Sequence, residues 1–356
     1  MNEILLTHSL PGRTVTLDDG EKFLWFSGTD YLGMGSNEAF GTFLAEGFAR
    51  YGTHYGSSRN GSLRLAVYED AEESLATYVG APAALAVSSG MWAGQMLMKA
   101  LDELPAQFHY APRVHPALWG QSYVPESSSW TEWAKKTIRR IETSEAGTSH
   151  VVCTDSVGSP WVEEFDLELL HSLPENRSIW LVVDDSHGLG VLGAQGQGVF
   201  SQLPQKKNIR TLVTASLNKA LGIPGGVILG DNDSLQSLRA SPWFAGGSPS
   251  APAYFYALQK NLSTDVYRNA HQALLANTTY FRQQLPPAYL LEFIKNYPAF
   301  CCRRTDLYPF LYQNKILTSR FSYPQPTDEP VTRLVVTALH QKQDLDRLAE
   351  VLNEFI

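Results

Sequence analysis

Val183-Asp184-Asp185-Ser186-His187-Gly188-Leu189-Gly190-Val191-Leu192-Gly193 closes an apolar run, Ile179 to Val183, bounded by polar residues. A short, β-branched run of this kind reads as a buried strand. It ends on the carboxylate of Asp184, and an imidazole, His187, follows three residues later. About thirty positions on, a second strand-like run, Leu212-Val213-Thr214-Ala215, leads into Ser216-Leu217-Asn218-Lys219-Ala220-Leu221-Gly222. Lys219 is the lone amine there, and Gly222, Gly225 and Gly226 come after it. A carboxylate, an imidazole and an amine at neighbouring strand ends are what pyridoxal phosphate (PLP) needs. The amine forms a Schiff base with it, and the carboxylate keeps the pyridine nitrogen protonated so that the ring accepts electrons.

Each piece also has a plainer reading. Most lysines are solvated, and Asp184-x-x-His187 alone could cap a loop or ligate a metal. No companion Cys or His stands at matching spacing, so no metal is expected. Gly188-x-Gly190-x-x-Gly193 fits the dinucleotide fingerprint and follows a strand. That reading fares poorly, because Ala194-Gln195-Gly196-Gln197-Gly198 opens no helix and no acidic strand end lies about twenty residues on.

The chain has 356 residues, long enough for two lobes rather than one core. Hydrophobic residues make up 44% and aromatics 11%, as in a well-packed globular protein. A net charge of −8 argues against a nucleic-acid or anionic-membrane surface. The first eight residues carry no signal peptide, and no apolar run reaches transmembrane length. Cys153, Cys301 and Cys302 suggest no disulfide framework, since adjacent cysteines pair poorly; a reducing cytoplasm is the expected home.

Strand-like and helical segments alternate from about residue 45 to 245, which predicts an α/β fold with a largely parallel sheet. Strands are expected at Ala84 to Val87, His150 to Cys153, Ile179 to Val183, Leu212 to Ala215 and Gly226 to Leu229. A helix is expected at Met91 to Leu101. After Pro252 the pattern is helical, then mixes short strands with loops through Pro324-Gln325-Pro326. A last helix, Gln343 to Phe355, places Leu345, Leu348, Val351, Leu352 and Phe355 on one stripe, read as core.

The two segments quoted first resemble V-D-D-A/S-H-G-x-G-x-x-G and T-x-S/G-K-x-x-G, motifs of the α-oxoamine synthases. These PLP enzymes condense an amino acid with an acyl thioester and lose carbon dioxide. The resemblance runs in the same order from about Gly12 to the C-terminus. It implies a large PLP-binding domain of aminotransferase-like fold (fold type I) with a mostly parallel sheet, and a smaller α+β domain. The expected divisions are 1–44 joining the small domain, 45–250 as the large domain and 251–356 as the small one.

The resemblance also implies roles. In Ser88-Ser89-Gly90-Met91-Trp92 a strand hands over to a helix, whose N-terminus favours phosphate. Gly90 would allow close backbone approach, and the amides of Met91 and Trp92 would donate. Ser216 stands where the family has a phosphate-binding threonine. His115 would stack on the cofactor ring, Asp155 and Ser159 would flank its edge, Asp184 would pair with the pyridine nitrogen and His187 with the phenolic oxygen. Asp185 is read as structural. Arg333, in Thr332-Arg333-Leu334-Val335-Val336-Thr337-Ala338, would grip the amino-acid carboxylate, a bidentate task that suits a planar guanidinium. Ser248, in Gly246 to Ala253, would reach the phosphate of the other subunit in a homodimer with shared active sites.

The implied reaction frees Lys219 to take the α-proton; the carbanion then attacks the thioester, thiolate leaves and carbon dioxide is lost. L-Alanine is the expected amino acid, in a reaction of the 8-amino-7-oxononanoate synthase type, with acyl-CoA or an acyl carrier protein as donor. The alternatives are a PLP-dependent aminotransferase or lyase on the same fold, or a catalytically silent relative serving as a partner protein. The chain departs from the family pattern at Thr29, which replaces a substrate-side asparagine, and at Pro160-Trp161-Val162. The Gly56 to Gly61 loop matches only approximately, and the segment before Gly12 lacks the helix that in relatives helps cover the acyl-CoA channel.

Overall fold

A computed structural model describes residues 4–285, 290–322 and 327–355; the expected Pro324-Gln325-Pro326 loop lies outside them. Packing divides the chain into two units. The larger comprises Ala39–Gly158 and Glu164–Val266, the smaller Met1–Glu38, Ser159–Glu163 and Tyr267–Ile356. The break therefore falls after Val266 rather than at residue 250. The cause is helix Pro252–Leu262, which packs on helix Ala66–Val79 of the larger unit. There Phe255 and Tyr68 bring their ring centroids to 5.1 Å, and the Tyr68 hydroxyl donates to the Ser250 carbonyl at 2.7 Å.

In chain order the strands are β1 (Thr14–Thr16), β2 (Lys22–Phe26), β3 (Ala83–Val87), β4 (Ala106–Tyr110), β5 (Ser149–Asp155), β6 (Ser178–Asp184), β7 (Ile209–Ser216), β8 (Gly226–Gly230), β9 (Glu292–Phe293), β10 (Ala299–Cys302), β11 (Ile316–Phe321) and β12 (Val331–Val335). The larger unit holds a six-stranded sheet in the order β3-β8-β7-β6-β5-β4. Strands β4 to β7 pair in parallel, and β8 runs antiparallel to both of its neighbours. Continuous apolar runs belong in such central strands, which are covered on both faces. The reversal at β8 follows from chain length. Residues 217–225 are too few for a parallel crossover, which takes a dozen residues or more, so the chain turns straight back. Lys219 lies in that short turn. Strand β4, Ala-Gln-Phe-His-Tyr, went unexpected: it is the sheet edge, and its polar positions mask the strand pattern.

The smaller unit has its own sheet, β1-β2-β11-β12-β10-β9, antiparallel except where β2 meets β11. Helix Lys342–Phe355 buries Leu345, Leu348, Val351 and Leu352 against Phe26, Phe300, Leu334 and Phe281, which is the stripe expected from the sequence. Each of these fully buried leucines contributes about 1.5–3 kcal/mol of burial free energy. All three cysteines are buried thiols. Among the described residues no helix is long and apolar enough to cross a membrane.

Candidate active site

The parallel register of β5, β6 and β7 sets their carboxyl ends side by side: Asp155 pairs with Asp184, and Asp184 with Thr214. Backbone bonds carry the alignment past the strand ends. The Ser156 amide donates to the Asp184 carbonyl at 2.9 Å, and the Asp185 amide to the Thr214 carbonyl at 2.7 Å. Ser186 adds a side-chain tie, its hydroxyl accepting the Ser216 amide at 2.8 Å. Asp184 is 6% exposed, and its Oδ1 accepts the Ser186 amide at 2.9 Å. A buried carboxylate is thus held at a strand end with capacity left to accept a further donor. His187 follows it in the turn, half-buried.

Asp155 does something the sequence did not reveal. Its Oδ2 accepts the His115 amide at 3.0 Å, so it positions the imidazole segment across forty residues of chain. Burial first, and then the neighbouring Asp184 charge, push Asp155 well above the usual carboxylate range. His115 in turn accepts the Ala117 amide on Nδ1 at 3.1 Å, which leaves its proton on Nε2. Burial lowers its pKa, opposed by Asp184 and reinforced by Lys219. A neutral imidazole is the form suited to lying on an aromatic ring.

Helix Gly90–Leu101 begins where β3 ends, with Ser89 as its N-cap. The cap takes the Trp92 amide onto Ser89 Oγ at 3.1 Å. Trp92 N–H is thus engaged by its cap, and the amides of Gly90 and Met91 precede it at the head of the helix. Glycine is needed at position 90, because a Cβ there would meet Ser216 Cβ at 2.6 Å. A Cβ on Gly226 would come closer still to the Ser89 carbonyl oxygen. Strand end, helix start and Ser216 are thereby pressed together. Ser248 lines a small cavity with Ser88, Trp92 and Arg59 of its own chain.

The Lys219 turn is tightly braced. Leu217 N donates to Gly225 O and Ile223 N to Leu217 O, both at 3.0 Å, and Gly222 takes φ 71° where the chain doubles back. Leu217, Ala220, Leu221 and Ile223 are buried and anchor the half-buried lysine from both sides. The charge of Lys219 reaches both His115 and Asp155, so amine, imidazole and carboxylates share one field.

The glycine run 188–198 closes on itself rather than opening a helix: Gly190 N donates to Gly196 O at 2.7 Å and Gly198 N to Leu192 O at 2.9 Å. The dinucleotide reading ends there. Asp185 is the hub of this loop, 2% exposed, with Oδ2 accepting Val199 N at 2.9 Å. Burial raises its pKa to about 7. The folded state therefore holds a proton between pH 3.8 and 7 that the unfolded chain has lost, so stability from this group falls as pH rises through that window. The slope is at most about 1.4 kcal/mol per pH unit. Asp185→Asn, neutral at every pH, should gain Tm on the wild type steadily from pH 4 to 7. Parallel Tm curves for the two proteins would contradict the assignment.

In the smaller unit, Arg333 stands mid-strand on β12, paired with Cys301 of β10 and Ser319 of β11, and is 5% exposed. Its Nη2 donates to the Tyr31 hydroxyl at 2.8 Å, while Nε has no partner. Thr29 lies half-buried in the loop after β2. Its neighbour Asp30 is structural, accepting the Met34 and Gly35 amides at 2.8 and 3.0 Å. Ser159 belongs to this smaller unit, whereas Asp155 belongs to the larger.

The larger unit's residues fit PLP. A buried, under-bonded carboxylate, a braced amine, a neutral imidazole and a glycine-lined helix start converge on one sheet end. Asp184 would hold the pyridine nitrogen, Lys219 the carbonyl carbon, and Gly90, Met91 and Ser216 the phosphate. Fold and residue set together define a PLP enzyme of fold type I.

Comparison with known proteins agrees. The aminotransferase class I and II family matches residues 121–352. The 8-amino-7-oxononanoate synthase of Serratia marcescens is 30% identical over 361 residues, covering 96% of this chain and 91% of that one. The enzyme of that name from Azoarcus sp. (strain BH72) is 28% identical over 370 residues, with 99% and 93% covered. Among solved structures, Sphingomonas wittichii serine palmitoyltransferase superposes with TM-score 0.84 at 15% identity, covering 98% of this chain and 91% of that one. The Francisella tularensis 8-amino-7-oxononanoate synthase does so with TM-score 0.73 at 20% identity, covering 95% and 100%. The chain belongs to the class I and II aminotransferase family and, within it, to the α-oxoamine synthases, which are PLP-dependent acyltransferases.

Proposed function

We propose that this enzyme condenses L-alanine with an acyl thioester, releasing thiol and carbon dioxide, as an 8-amino-7-oxononanoate synthase does. The observation that carries the amino-acid half is Arg333. It is a buried guanidinium whose strongest electrostatic neighbours are Tyr31, Tyr297 and Cys301, and among the described residues no carboxylate forms an ion pair with it. An unpaired buried charge costs several kcal/mol, so an anion from outside is the natural partner. The substrate carboxylate is that anion.

When bound, PLP supplies the electron sink for the α-carbon. Asp184 would hold the proton of the pyridine nitrogen, and His115 would face the ring as a neutral imidazole. Lys219 would hold the cofactor's carbonyl carbon and, as a free amine, take the α-proton on Nζ. The braced turn keeps that amine in place between steps, and Asp155 keeps His115 in place. Thr29 is read as a substrate-side hydroxyl, Ser159 and His187 as contacts of the ring edge and its phenolic oxygen. The donor is an acyl-CoA or a carrier-protein thioester, and the enzyme works as a homodimer with Ser248 reaching the phosphate of its partner.

A small α-substituent is favoured because the ring face must leave room for both it and the incoming acyl group. Arg333→Ala should raise KM for L-alanine by about 10²–10³-fold, the scale of a lost charge-assisted pair, and leave the cofactor's absorption spectrum unchanged. An unchanged KM would remove the role of Arg333.

A further inference from the structure

We infer that His109 and His150 form a proton-operated latch on the edge of the larger unit's sheet, which holds His115 and Asp155 in register near neutral pH and releases them in acid. Its effect on the cofactor rests on the placement of those two residues given above. Strand β4 is the sheet edge, so β5 is its one neighbour among the described residues. His109 on β4 and His150 on β5 point to the same face, since their partners in the ladder are Val152 and Gln107. His109 is 9% exposed and His150 fully buried. Neither takes part in the chemistry derived above. Beyond them the two strands run on to the site. Strand β4 leads, just past its end, to His115, and β5 ends on Asp155, whose carboxylate accepts the His115 amide.

The hydrogen bonds fix which nitrogen carries each proton. The Ile141 carbonyl can only accept, so the Ser144 hydroxyl gives its one proton there, at 2.7 Å. The same oxygen accepts Arg177 Nε at 3.0 Å, and it must also accept from His150 Nε2, again at 3.0 Å. A neutral His150 protonated on Nε2 offers Nδ1 as an acceptor, and His109 Nε2 donates to it at 3.2 Å. Two neutral rings close this chain. A further proton on His150 Nδ1 would set two N–H groups against each other across 3.2 Å. The charged groups facing the pair are Arg140, on helix Trp130–Glu142, and Arg177, ahead of β6. Both are cations, and neither ring pairs with a carboxylate among the described residues. Burial first, then His150 and Arg140, lowers the pKa of His109 to about 4; burial and then Arg177 lower that of His150. Once the edge opens, each ring titrates near its ordinary 6.5. The open edge therefore binds protons that the closed one refuses, and closure weakens as pH falls below 6.5. Each ring multiplies the open population by up to about tenfold per pH unit, and the two together by up to about a hundredfold.

The sign is opposite to that of Asp185, whose proton acts on the whole fold, so a local probe is needed. Amide hydrogen exchange of the holoenzyme, corrected for intrinsic rates, supplies one between pH 7.5 and 5. Protection of β4 and of Ala111, whose amide donates to Cys153 O at 2.8 Å, should fall below pH 6.5 by more than about tenfold per unit. Protection of β6 and β7 should hold. The visible circular dichroism of bound PLP, which reports the surroundings of the ring, should fade over the same range. His109→Gln keeps a side-chain N–H aimed at His150 Nδ1 and removes one titrating ring. Its loss of protection should be limited to about tenfold per unit. Independently of any variant, ¹⁵N shifts of histidine-labelled enzyme at pH 7.5 should place both ring protons on Nε2. Protection of β4 that is flat with pH, equal slopes in the two proteins, a parallel loss across β6 and β7, or a proton on Nδ1 of either ring overturns the inference. If the edge opens as described while the cofactor's signal stays constant, the latch stands and the placement of His115 at the ring fails.

Discussion

Lys219→Ala should lower turnover by about 10⁴-fold or more, because it removes both the covalent anchor and the base for the α-proton. The wild-type protein should be yellow as purified, and borohydride should fix the cofactor to one peptide, that containing Lys219. The variant should yield no such adduct. Its fold should survive, since the lysine is half-buried and the turn is held by its leucines and backbone bonds. A reducible adduct on any other lysine would displace Lys219 from the mechanism.

Asp184→Asn should be nearly as severe, with a loss of about 10³–10⁴-fold in α-proton exchange and little change in cofactor affinity. The amide can still accept the Ser186 N–H, so the strand end stays in register. What it cannot do is hold a proton on the pyridine nitrogen, and the ring then loses its power to take electrons. Asp184 and Asp155 stand in register on adjacent strands, so the substitution also removes a charge that raises Asp155. Wild-type exchange rates in Asp184→Asn would mean that another group holds the ring nitrogen.

What could be read in the sequence follows from how local each signal is. Strands β5, β6 and β7 are apolar on both faces and announce themselves, and with them the carboxylate, imidazole and amine at their ends. The antiparallel turn into β8 was available too, since nine residues between strands leave no room for a crossover. The capping of Trp92 by Ser89 was likewise legible, because a serine at the strand–helix junction three residues earlier is an N-cap signal. Strand β4 was hidden by its position at the sheet edge, where polar side chains are tolerated. The bond from Asp155 to His115 joins residues forty apart and needs the sheet to exist first.

The most direct test of the account is the product balance. The enzyme is given L-alanine labelled at its carboxyl carbon together with a panel of acyl-CoA and acyl-carrier thioesters, and labelled carbon dioxide and free thiol are measured. Equimolar release of both, only when amino acid and thioester are present together, is the result expected of an α-oxoamine synthase. Formation of pyruvate with no thiol released would instead make it an aminotransferase on the same fold.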